Sequence, residues 1–216
     1  SGMKQIMLIF TAGMLFCGCT GKAWDQDQFP QKVMLPGVSL EEGGHCESSA
    51  LFNALNYQGY NFSEAEIVGI SGAMGFIYEM GYFPFLGGRS LTMKEDFFSS
   101  AGINWHQGDN SSPENAWRDV VSVLQNNNPV ILHVDMRYLP YLWGGKYGSK
   151  YSSYGWHIIT LFGIDYSKGE AYVSDTGLTG IQTISLKDLD KARSSNTDIL
   201  PPENKWYWAE KVPEAY

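Results

Sequence analysis

Gly43-Gly44-His45-Cys46-Glu47-Ser48-Ser49-Ala50-Leu51-Phe52-Asn53-Ala54-Leu55 is the stretch on which the fold turns. From Cys46 onward Ala50, Leu51, Ala54, Leu55 and Tyr57 recur at helical spacing, so the pattern predicts a helix that begins at or just before the cysteine. The glycines ahead of it allow a sharp turn. Free N–H groups and the positive end of the helix dipole then favour a thiolate. Such a position lowers a cysteine pKa from about 8.5 into the range 3.5–7.5, and the thiolate is the nucleophilic form. Taken alone, the segment fits two readings. One is an activated nucleophile, the other a buried structural cysteine at a helix start, since free cysteine is among the most buried residue types.

A second segment, more than a hundred residues on, bears on that choice. Gly155-Trp156-His157-Ile158-Ile159-Thr160-Leu161-Phe162-Gly163-Ile164-Asp165 is β-branched and aromatic, a buried strand entered through a histidine. It ends at the turn Tyr166-Ser167-Lys168-Gly169, and Glu170-Ala171-Tyr172-Val173-Ser174 follows as a second strand. A turn this short predicts an antiparallel hairpin. His157 then opens the first strand and Asp175 closes the second, at the same end of the sheet. That is a base with an orienting carboxylate, to which Cys46 is the third member.

A cysteine on an N-terminal helix, a histidine opening a strand, then Asp or Asn after the next strand resembles the order of papain-like cysteine peptidases. The local sequence is more similar to the N-terminal domain of butirosin biosynthesis protein H, an acyltransferase family with a papain-like core. The stretches that carry this are His45-Cys46-Glu47-Ser48, Asn56-Tyr57-Gln58-Gly59, Ser63-Glu64, Gly75-Phe76, and Val134-Asp135 with Tyr138-Leu139-Pro140-Tyr141. They continue with His157, Gly163-Ile164-Asp165, Val173-Ser174-Asp175, and Leu189 with Lys191-Ala192-Arg193. The resemblance spans residues 43–193 and implies an α+β, papain-like fold, with the nucleophile's helix packed on an antiparallel sheet. It implies Cys46, His157 and Asp175 as catalytic residues. Gly44, His45, Asp135, Tyr138, Tyr141 and Trp156 are the residues expected to face a substrate, with positioning of the following loop as the other reading of Asp135. Two departures stand out. The family usually carries a further C-terminal domain, whereas this chain stops at Tyr216. Papain-like peptidases also place a glutamine shortly before the nucleophile to hold the oxyanion. Here that place is taken by Glu41 and Glu42, which cannot donate when ionised, and Gln31 is distant.

The implied chemistry is acyl transfer. His157 takes the Cys46 proton, the thiolate attacks an amide or thioester carbonyl, and the Cys46 N–H helps hold the oxyanion. Water as acceptor makes a hydrolase. An amine makes an acyltransferase, with the acyl group supplied in the resembling family by an acyl carrier protein. A third reading keeps the fold as an inactive domain that binds peptide or glycan.

The front of the chain carries a different signal. Ser1-Gly2 ahead of Met3 is a cloning scar. Residues 6–16 are apolar but too few for a spanning helix, which needs about 20. With Phe16-Cys17-Gly18-Cys19 they resemble a bacterial lipoprotein signal with Cys19 as the lipidated residue; the competing reading is a buried N-terminal helix. The organisation expected is a scar and signal over 1–19, a tether over 20–32, and one domain over 33–216, anchored in the cell envelope. If the signal reading fails, the protein is cytoplasmic and the carrier-dependent acyltransferase leads. A net charge of −8 without a basic cluster excludes nucleic acid as partner and a polybasic membrane patch. Four scattered histidines and no CxxC pair argue against zinc. No cofactor is expected.

Elsewhere, Ser63-Glu64-Ala65-Glu66 has capping-box spacing. Residues 76–80 alternate as a short strand, and residues 92–101 are helical. Ser112-Pro113 starts a helix whose Trp117, Val120, Val121 and Leu124 share a face. Residues 129–135 form a central strand in which His133 is a sheet histidine rather than a second base. Ser185 caps a helix through Arg193, and residues 205–211 alternate as a closing edge strand. The Gly- and Tyr-rich stretch 138–154 is either a lid over the site or a loop packed on its own aromatics.

Overall fold

In the computed structural model the described residues are 30–73, 77–79, 85–87, 91–109, 112–143, 155–197 and 200–213. The expected lipoprotein signal, Cys19, Gly75-Phe76 and the stretch 144–154 lie outside them.

One central sheet is built from β1 (Lys32–Met34), β4 (Trp105–Gly108), β5 (Val130–Val134), β6 (His157–Asp165), β7 (Glu170–Ser174), β8 (Gln182–Ser185) and β9 (Trp206–Ala209). Its order is β4-β9-β5-β6-β7-β8, every pairing is antiparallel, and β1 lies beside the far end of β6. A small separate ribbon joins β2 (Ile77–Glu79) to β3 (Phe85–Gly87). The helices are α1 (Cys46–Tyr57), α2 (Glu64–Ile70), α3 (Met93–Ala101), α4 (Pro113–Gln125) and α5 (Leu186–Ser194).

Strand alternation explains the layering, because successive side chains point to opposite faces. Ile131, Ile158, Tyr207 and Ala209 join Leu51, Leu55, Ile67, Phe97 and Phe98 in a core on the side of α1, α2 and α3. Leu132, Val134, Ile159 and Leu161 join Trp117, Val121, Leu124, Leu189 and Ala192 in a core on the side of α4 and α5. The sheet is thus covered on both faces, and all nine residues of β6 and all five of β5 are buried.

Local signals set the helix ends. Ser63 and Glu66 form the capping box in full. The Ser112 side chain accepts the Asn115 N–H and the Ser185 side chain accepts the Asp188 N–H. One expectation needs correction: β9 is not an edge strand. It lies between β4 and β5, pairing with Trp105–Gly108 on one side and with Ile131 and Leu132 on the other. The alternation that buries Tyr207 and Ala209 tells which side chains face the core, but carries no information on a strand's neighbours.

All three candidate catalytic positions fall at one end of this architecture. β6 begins there with His157, β7 ends there before Asp175, and α1 presents its N-terminus there. The Thr160 hydroxyl donates to the Ala50 carbonyl at 3.0 Å, so β6 holds α1 directly through a buried bond.

Candidate active site

Cys46 is the first residue of α1, and its side chain is half-buried. His45 precedes it in extended conformation and gives the helix no side-chain cap. The turn in front is fixed from several directions. Asn53, buried on α1, accepts the Glu41 N–H at 3.1 Å and donates back to the Glu41 carbonyl at 3.2 Å. The Gly43 carbonyl accepts the Thr176 hydroxyl at 2.9 Å and the Gly177 N–H at 3.2 Å, tying the approach to Cys46 to the residues that follow Asp175. Gly43 also lies against Ser49, where an added Cβ would sit 2.3 Å from Oγ. Only glycine fits that approach.

His157 and Asp175 form a buried pair. Nε2 of the ring lies 2.7 Å from Asp175 Oδ1, and the two side chains are 6% and 0% exposed. The carboxylate is held further by the Thr176 N–H at 2.7 Å on Oδ1 and the Tyr141 hydroxyl at 3.0 Å on Oδ2. The Cys46 sulfur hydrogen-bonds to the ring. With Nε2 directed at Asp175, Nδ1 is the nitrogen left for it. Burial opposes a charged imidazole, but the Asp175 carboxylate and then Cys46 outweigh it and push the His157 pKa up from 6.5 to about 10. Tyr141, covered and beside that carboxylate, is held well above the ordinary tyrosine range. The antiparallel hairpin predicted from the short turn is present, with a bulge between Leu161 and Gly163, and it brings His157 and Asp175 together.

The residues expected to face a substrate divide. Gly44 and His45 are exposed beside Cys46. Trp156 is half-buried next to His157, against His133 at 6.1 Å between ring centroids. It helps line a cleft of about 580 Å³ that runs past Tyr207 and Trp206 to Lys94 on α3. Gly155 allows the chain to enter this corner, since a Cβ there would sit 2.3 Å from the Leu200 carbonyl oxygen. Asp135 is a correction. It is fully buried, its Oδ1 accepts the Arg137 N–H at 3.0 Å and its Oδ2 accepts the Ser195 hydroxyl at 2.6 Å. That carboxylate closes the turn after β5 onto the end of α5 and presents nothing to a substrate. Tyr138 packs against the α4–α5 core, and Tyr141 bonds to Asp175 instead of standing in a lid.

Two further expectations can be placed. His133 is a buried sheet residue beside Trp156 and Tyr207. Gln31 is no oxyanion donor. Its carbonyl accepts the Tyr166 N–H beside Asp165, at the opposite end of β6 from His157. Among the described residues no group of three or more His, Cys, Asp or Glu could hold a metal ion, and no helix is long and apolar enough to cross a membrane.

Sequence reasoning missed Glu64. Twenty residues from Gly44 and read only as part of a capping box, it reaches from α2 to the turn before Cys46. A contact between two helices leaves no spacing signal; the one hint is that Ser63-Glu64 is among the stretches carrying the family resemblance.

A cysteine at a helix start beside a His–Asp pair on an antiparallel sheet defines the papain-like cysteine peptidase class of fold. Residues 45–176 match the family model described as butirosin biosynthesis protein H, N-terminal, and the chain belongs to that family. Two solved structures are similar in fold. A C39-like peptidase from Bacillus anthracis aligns with a TM-score of 0.58 at 13% identity, covering 86% of this chain and 100% of that one. The peptidase domain of Streptococcus ComA, a bifunctional ABC transporter of a quorum-sensing pathway, aligns at 0.50 and 11%, covering 81% and 99%. None of the curated proteins matches.

Proposed function

We propose that the protein is a cysteine-nucleophile enzyme that transfers acyl groups from an amide or thioester through a thioester on Cys46. We place it in the cell envelope, working as an amide hydrolase of peptidase type. The observation that carries this is the Cys46–His157–Asp175 contact chain, with His157 Nε2 2.7 Å from Asp175 and the sulfur on the ring's other side. A His157 that keeps its proton to about pH 10 favours a thiolate–imidazolium pair at neutral pH. The thiolate attacks the carbonyl, forming the C–S bond, and the oxyanion gathers beside the Cys46 N–H. Collapse breaks the C–N bond as His157 gives its proton to the departing amine. Water, deprotonated by His157, then attacks the thioester and releases the acid and Cys46. Asp175 orients the ring throughout and does not take the proton.

Family membership supports a second reading in which an amine, not water, resolves the thioester. The envelope location rests on Gly18-Cys19 after a short apolar run, and it favours water because acyl carrier proteins are cytoplasmic. Intact-protein mass spectrometry after exposure to p-nitrophenyl acetate and a panel of peptide and acyl probes tests the proposal. An acyl adduct on Cys46 that is absent from Cys46→Ala, and decays faster with added amine or in water alone, supports it and separates the two acceptors. A folded wild-type protein that never acylates at Cys46 leaves a binding domain.

A further inference from the structure

Glu64 belongs to none of the three positions above, yet its carboxylate accepts three hydrogen bonds at the nucleophile's turn. Oε2 accepts the Gly44 N–H at 2.8 Å. Oε1 accepts the His45 N–H at 3.1 Å and the Ser48 hydroxyl at 2.6 Å, and lies 4.0 Å from His45 Nδ1. Those partners stand two and one residues before Cys46 and two residues after it. The helix start has no cap from His45 itself, and the first residue of α2 instead holds the two backbone N–H groups immediately ahead of it.

We propose that Glu64 is a positioning residue, which fixes the peptide planes on either side of Gly44 and holds Ser48 on the first turn of α1, and so aims the Cys46 N–H and sulfur at the reacting carbonyl. The inference rests on the reading of Cys46 as a nucleophile and extends it to the oxyanion side of the site. Three physical points support it. Gly44 is exposed and has no side chain to restrain it, so without an external partner this turn would sample many conformations. By taking the Gly44 and His45 N–H groups, the carboxylate withdraws them as oxyanion donors and leaves the Cys46 N–H to do that work. Three converging donors also require two acceptor oxygens. Glutamine offers one oxygen and an amide N–H₂ that would face a donor. The carboxylate stays ionised: partial burial raises its pKa, but the bonds from Ser48, Gly44 and His45 outweigh this and hold it below the ordinary range.

The test compares two reactions of the same thiol in the full chain. Acylation of Cys46 by p-nitrophenyl acetate forms a C–S bond, expels nitrophenolate and passes through an oxyanion. Alkylation by iodoacetamide displaces iodide and needs the thiolate alone. In Glu64→Ala the acylation rate should fall about 10²-fold, as expected when an oxyanion donor is misplaced, while alkylation at the same pH changes less than about threefold. Glu64→Gln, which keeps the shape should the alanine variant fail to fold, should fall about tenfold, and Ser48→Ala, losing one contact, less still. Equal falls in both reactions, or no change in either, would overturn the inference. A wild-type protein that is not acylated at all would instead sink the nucleophile reading beneath it.

Discussion

In the proposed mechanism, His157 concentrates the chemistry in one ring. Its neighbours push its pKa from 6.5 to about 10, so the charged ring contributes stability fully below the ordinary value and loses it as pH rises through about 10. The same charge supports the thiolate. Removing it in His157→Ala should therefore shift the apparent pKa of iodoacetamide alkylation at Cys46 upward towards about 8.5, and cut turnover of any substrate roughly 10²–10⁴-fold. An unchanged alkylation profile would detach His157 from the sulfur. Asp175→Asn probes a different quantity. The amide oxygen still accepts the ring N–H, and the Tyr141 hydroxyl can turn to accept from the amide nitrogen. Rate should then fall less than in His157→Ala, while the alkaline limit of the thiolate–imidazolium pair moves down from about 10, because the carboxylate that raised it is gone. Rate constants across pH 6–11 check both parts.

Elements meet the site through close approach as well as through side-chain reach. The turn before α1 passes so near Ser49 that a methyl group at Gly43 would overlap its side chain, and the Gly43 carbonyl receives two bonds from the turn after β7. Gly43→Ala should cost about 1–3 kcal/mol in a denaturant melt, the usual price of overpacking, and should also slow acylation of Cys46. Adding Ser49→Gly to it should recover most of the stability. If Gly43→Ala alone is neutral, the turn is held less tightly than this packing implies. The helix, the β6–β7 hairpin and their shared end of the sheet were legible from residues 46–57 and 157–175, since apolar periodicity and a short turn are local signals. The interior place of β9 and the bracing of the turn by α2 were not, because each depends on a partner distant in sequence.

For the whole molecule, the sheet and its two covered faces place the candidate site at one end of the domain. The envelope proposal predicts where the molecule is found. Expressed in a bacterial host from Met3, it should fractionate with membranes and carry lipid label that Cys19→Ala removes. Soluble protein with an intact N-terminus would return the carrier-dependent acyltransferase to first place.

Sequence by itself determined the helix that opens at Cys46, the hairpin that joins His157 to Asp175, and the family. These rest on periodicity, turn length and motif order, all written within short windows of chain. Tertiary structure alone decided which polar residues serve the site. Asp135 and Tyr141 looked alike from the sequence, as polar groups expected to face a substrate. Folding buried the first against Ser195 and the Arg137 N–H, and set the second on Asp175. It also brought Glu64 to the turn before Cys46. A buried polar group must find a partner wherever packing delivers one, and that partner's place in the chain is set by the three-dimensional fold rather than by local pattern.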